Sequence, residues 1–155
     1  MSLTLNSTYQ NVFYDFVLDS IRDTLITEYK YGKVYIAPEM QYDEPFSIRL
    51  WGTRHSIDNY SAGEWVKEYN VDLVLYSKVD KNEQSYKQFY ADQERIFQSL
   101  WNTYKGTVDK TVSSVTIHLT TGMANEIEIL TPEDTEIEGL FSAVFSFTIF
   151  ANRTD

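Results

Sequence analysis

The stretch 71–106 constrains this chain most, because a strand pattern there gives way to the strongest helix signal in the sequence. Val71, Leu73 and Leu75 fall on one side of a period-two ladder and Asp72, Val74 and Tyr76 on the other, which predicts a strand with one deeply buried face. Charged and turn-forming residues follow at 77–81, and Asn82 is placed to cap a helix by accepting a hydrogen bond from a first-turn N–H. Glu83 then lies against the positive end of the helix dipole. Tyr86, Phe89 with Tyr90, Ile96 with Phe97, Leu100 with Trp101, and Tyr104 recur at the spacing of one helical face, whereas Gln88, Asp92, Glu94 and Gln98 are assigned to the wet side. Gly106 is the expected stop, in the left-handed conformation that glycine takes without a side-chain penalty. So aromatic a stripe needs a broad apolar partner such as a sheet. Each large side chain fully buried between the two contributes roughly 1.5–3 kcal/mol.

The remaining elements are read outward from that unit. Residues 1–10 are polar and aperiodic and are expected to be a flexible lead, with 11–155 forming one domain. A helix capped by Thr8 or Asn11 carries Phe13, Phe16, Val17, Ile21 and Leu25 on its apolar face and stops near Gly32. A short strand at 33–37 is closed by Pro38. From 46 to 51 the pattern alternates, with Phe46, Ile48 and Leu50 inward and Ser47, Arg49 and Trp51 outward. Residues 52–68 break into Gly, Ser, Asn and charges and are read as a long functional loop, with Trp65 and Val66 its one large apolar pair. After the central helix come strands at 112–121, at 126–130 and, most completely patterned, at 140–150. The expected order is helix, three strands, helix, three strands. That order gives an α+β fold, a mostly antiparallel sheet with two main helices packed on one face.

Composition narrows the function. The formal net charge is −10, from 13 basic and 23 acidic residues, which opposes general binding to phosphate backbones. Twelve Tyr, nine Phe and three Trp supply rings that suit partner-covered surfaces as well as cores. With no cysteine, disulfides, thiolate metal sites and cysteine nucleophiles are excluded. The N-terminal residues lack a signal-peptide pattern, and no segment reaches the roughly 20 apolar residues of a membrane span. Two histidines, His55 and His118, stand without a second ligand at metal spacing. The acids Glu133, Asp134, Glu136 and Glu138, near Glu126 and Glu128, lack the glycine-turned loop of a calcium site and are read as a solvated or DNA-repelling face. The expectation is a non-enzyme without cofactor or metal.

An N-terminal helix leading into 33–38 (Lys-Val-Tyr-Ile-Ala-Pro), the strand at 71–76 (Val-Asp-Leu-Val-Leu-Tyr), the aromatic helix from Tyr86 to Trp101 and the closing strand within 138–150 together resemble the tail terminator, or tail-completion, proteins of long-tailed bacteriophages. The resemblance covers the chain from about Val12 onward and is one of element order and texture. It implies a small α+β virion protein, assembled in the host cytoplasm. Such a protein forms a hexameric ring that caps the head-proximal end of the tail tube, meets the neck and connector proteins, and lets the genome DNA pass. It brings no catalytic residues. On that reading Arg49, Trp51, Arg54 and Trp65 are candidate contacts between neighbours, and the acidic run Glu133, Asp134, Glu136 and Glu138 reaches a neighbour or the lumen. The alternatives are another neck, head-completion or tail-tube ring component, and a small-molecule-binding α+β domain with a pocket between sheet and helices.

Overall fold

A computed structural model of the chain describes residues 10–29, 33–37, 46–61, 63–80, 82–122, 126–131 and 139–154. The expected flexible lead therefore lies outside the described residues, apart from Gln10, which has no regular structure. Asn11 opens the first helix by accepting the Tyr14 N–H at 3.3 Å, as a cap should. The helix begins as a π-helical segment, Val12–Leu18, and continues as α1, Asp19–Glu28. Phe16, Val17, Ile21 and Leu25 are buried on its inner face.

The strands are β1 (Val34–Ile36), β2 (Phe46–Ser61), β3 (Glu64–Lys78), β4 (Val108–Val112), β5 (Val115–Gly122), β6 (Ile127–Leu130) and β7 (Leu140–Thr154), with α2 (Glu83–Tyr104) between β3 and β4. They form one curled, mostly antiparallel seven-stranded sheet in the order β1-β2-β3-β7-β5-β4, with β6 also paired to β7. β7 is its spine. Its one edge pairs with β3 from Leu140 to Thr154, and its other edge is shared by β6, opposite Ser142 to Phe145, and β5, opposite Thr148 to Asn152. The fold is α+β, as expected. The parallel pair β1–β2 is the exception to the antiparallel rule.

Cross-strand partners share a face, so the registers define two surfaces. Ile48, Leu75 and Ala143 form one row, and Leu50, Leu73 and Phe145 the next, on the face that the helices cover. The Phe141 ring on this face meets Tyr86 edge-on at 5.5 Å and Phe89 at 5.6 Å, which seats α2. α1 docks against α2 through Tyr29, whose hydroxyl donates to the Asp92 carbonyl at 2.9 Å, and through Arg95, stacked 4.8 Å from the Tyr29 ring and bonded to the Glu28 carbonyl. The Ser20 and Tyr104 hydroxyls form a second link. At the start of α2 the Asn82 side chain accepts the Ser85 N–H at 2.8 Å, while the Ser85 hydroxyl accepts the Asp80 N–H at 3.0 Å.

Four expectations are corrected. Residues 52–61 and 64–68 are strand and not loop: β2 turns into β3 at Gly63 as one long hairpin ribbon, whose β3 strand also pairs with β7 along its whole length. The strand expected at 112–121 begins only at Val115, as β5; Val112 instead ends the unexpected strand β4, because Ser113 and Ser114 take positive φ of 51° and 67° and reverse the chain between the two. The faces of α2 are shifted from those expected: Asp92, assigned to the wet side, is buried with Gln93 at the α1 contact, while Tyr90 and Trp101, assigned to the apolar stripe, are exposed. Gly106 is not left-handed; α2 ends at Tyr104, with Lys105 still helical and donating its N–H to the Trp101 carbonyl.

Candidate interface

The ribbon's distal half is the most unusual surface of the molecule, and its sequence explains its shape. Thr, Ile, Tyr, Trp and Val suit extended backbone. Gly63, at φ 87°, supplies the turn conformation that a side chain resists. At the root of this half, Gly52 lies against the Phe13 ring, into which a Cβ would project. The Phe13 ring then stands edge-on to Tyr69 at 4.8 Å and 5.3 Å from His55, which itself stacks on Tyr69 at 5.5 Å. Lys67 closes the cluster, its Nζ 2.7 Å from His55 Nδ1 and 4.8 Å from the centre of the Tyr69 ring. Burial lowers the Lys67 ammonium and pushes the Tyr69 phenol up to about 12. These rings fasten the ribbon to the first helix.

Beyond that anchor β2 has no strand on its outer edge among the described residues. β1 pairs only with Ile48, Arg49 and Leu50, leaving the backbone edge from Trp51 to Ser61 open. Two register shifts, between Gly52 and Arg54 and between Ile57 and Asn59, interrupt it. Ile57 is 68% and Tyr60 78% exposed, the highest values among the described large apolar side chains. Among the described residues no further strand pairs with the opposite border either, at β4 and β6, where Ile129 is 41% exposed beside the exposed acids Glu126 and Glu128.

The face away from the helices is polar. The Ser146 hydroxyl donates to Asp72 at 2.8 Å and Thr148 to the Asn70 side chain at 2.9 Å, and Asn152 reaches Glu64 at 3.3 Å. His118 pairs with Asp109 across the β4–β5 hairpin. By register, Glu64, Glu68, Asp72, Asp109 and Glu128 share this face with the exposed bases Arg54 and Lys78. Its depressions are shallow; one of 420 Å³ is lined by Thr53, Arg54, Asn70, Asp72, Ser146 and Thr148. Among the described residues no group of three or more His, Asp or Glu could hold a metal ion.

The expected contact residues are not brought together. Arg54 is exposed at the root of the ribbon, and Trp51 is half-buried opposite Asp72. Trp65 sits near the tip, paired with Tyr60 and Arg153, and packs partly against the core. Arg49, expected to face outward, is instead 3% exposed, with its guanidinium 4.0 Å from the centre of the Tyr35 ring. Alternation placed it on the correct face, but this end of that face is enclosed, as buried Ser47, Val74 and Ser142 beside it confirm. Glu133, Asp134, Glu136 and Glu138 fall outside the described residues. Ile57 and Tyr60 were missed because they sat in a segment read as loop, although two large apolar side chains in a β-forming run without Pro would have marked them. No protein-family model matches the chain, and no curated protein matches it.

Proposed function

We propose that this chain is a structural ring subunit of a long-tailed phage virion, the tail terminator that caps the head-proximal end of the tail tube and joins it to the neck. The observation that carries the proposal is the outer edge of β2 from Trp51 to Ser61, which no strand among the described residues covers and which bears exposed Ile57 and Tyr60. An unpaired edge of that length invites another chain. The second border, at β4 and β6, carries exposed Ile129 beside the acids Glu126 and Glu128, whereas the β2 side carries Arg54, His55 and Lys67. Two different edges on one sheet make a head-to-tail contact, and such contacts close into a ring when the rotation per subunit divides the circle. The acid-rich, helix-free face suits a lumen that DNA crosses without sticking, because adhesion to DNA depends on cations neutralising phosphates.

The test is to add the purified protein to tails assembled without it and image them by negative stain. A ring seated at one end and tubes of fixed length support the proposal. Long stacks formed by the protein alone would identify a tube subunit instead, and tails left unchanged, with no ring in solution, would remove the ring reading altogether.

A further inference from the structure

One amine of the ribbon is aimed at a base. Lys67 lies on β3 in a cross-strand row with Ile57, Ala151 and Leu119, and Trp65 and Tyr69 stand two residues away on the same face of its own strand. Its four-carbon stem is therefore flanked by apolar groups, and burial holds the ammonium below the ordinary lysine value. The nitrogen stays within reach of solvent, because Lys67 is only half-buried and His55, against which it ends, is exposed. Nζ lies 2.7 Å from His55 Nδ1. An ammonium can only donate, so Nδ1 is the acceptor and the neutral imidazole carries its hydrogen on Nε2. The imidazole is held in that orientation by stacking on Tyr69 at 5.5 Å and by the Phe13 ring at 5.3 Å, while the Tyr69 ring also lies 4.8 Å from Nζ.

A nucleophile, a base within hydrogen-bond reach and a third group that orients the base are the parts by which proteins activate a weak nucleophile. Lys67, His55 and the Phe13–Tyr69 ring pair stand in those three places. We infer that Lys67 is a covalent modification site, a nucleophilic amine that accepts an acyl group from an activated ester or thioester, with His55 as its proton acceptor. In the step, Nζ passes one proton to His55 Nδ1 and its freed lone pair attacks the acyl carbonyl carbon. As the tetrahedral adduct collapses, the bond from that carbon to the leaving oxygen or sulfur breaks. The leaving group takes the bonding pair and a second proton from the nitrogen, and His55 returns the first proton to water. The product is a neutral amide, so the ribbon loses one positive charge. The inference does not rest on the ring reading, since every part of it belongs to a single copy of the chain.

The experiment treats the full chain at neutral pH with a limiting amount of the N-hydroxysuccinimide ester of acetic acid and reads acetylation at each lysine by peptide mass spectrometry. Wild type is compared with His55→Gln, and circular dichroism checks the fold of both. Lys67 is expected to acetylate at least about tenfold faster than Lys78 and Lys87, although those two are exposed and Lys67 is half-buried. His55→Gln keeps an oxygen that can accept from the ammonium but cannot take its proton, so Lys67 should lose most of that advantage while Lys78 and Lys87 keep their rates. Should His55→Gln lose the fold, His55→Phe carries the comparison, since it keeps a ring against Tyr69 and removes the base. A wild-type Lys67 that acetylates no faster than Lys78 and Lys87 overturns the inference. So does an advantage that survives the loss of the imidazole, for His55 would then hold the amine without taking its proton.

Discussion

Gly52 lies where a Cβ would enter the Phe13 ring, so the ribbon meets the first helix at a position that admits only glycine without adjustment. Gly52→Ala is expected to destabilise the fold by about 1–3 kcal/mol in urea unfolding, through overpacking. Phe13→Leu should recover part of that loss in a double-mutant cycle, and full additivity would mean that the two residues do not touch. Asp92 provides a pH-dependent counterpart. Desolvation raises its carboxyl above the ordinary 3.8, against the opposing Gln88 hydrogen bond and Arg95 charge. A carboxyl whose folded-state pKa lies above its unfolded one removes stability as pH rises through that interval, and the deficit is complete at neutral pH. Asp92→Asn should therefore be more stable than wild type at pH 7 by about 1 kcal/mol, with the advantage gone below about pH 3.8, as unfolding at the two pH values would show. The Asn82 cap was readable from sequence because capping is local chemistry. The burial of Arg49 was not, because alternation tells which face a side chain takes and says nothing of what covers that face.

Elements with strong local periodicity, α2 and β7 above all, were legible in the residues themselves. The ribbon was not. The outer strand of its distal half, residues 52–61, is exposed on both faces and so carries no apolar alternation, the clearest mark of a strand in a single sequence. The β4–β5 hairpin was hidden for a different reason: its turn uses Ser113 and Ser114 in the left-handed region, where the usual sign is Asn-Gly. Left-handed backbone costs a side-chain-bearing residue about 1 kcal/mol or more. Replacing the pair with Ser113→Asn and Ser114→Gly should accordingly raise stability by about 1 kcal/mol without altering the register, measured by chemical denaturation together with the amide exchange of β4 and β5. A fall in stability would show that the serines make contacts the turn needs.

The α+β class followed from element order, but the pairing scheme did not, since parallel β1 and the sharing of one β7 edge by β5 and β6 depend on contacts between distant segments. What the described residues then offer is a sheet with two unlike borders that carry no further strand, one of them the outer edge of β2 in a ribbon whose strands run to about 50 Å in contour at 3.3 Å per residue. Its action on this account is association through those borders. The direct measurement is the mass of the purified protein by light scattering, for wild type and for the double variant Ile57→Asp, Tyr60→Asp, with circular dichroism to confirm the fold. The account predicts a single closed oligomer for the wild type and a folded monomer for the variant. A wild type that stays monomeric at the highest attainable concentration, or a variant that assembles as the wild type does, would contradict it.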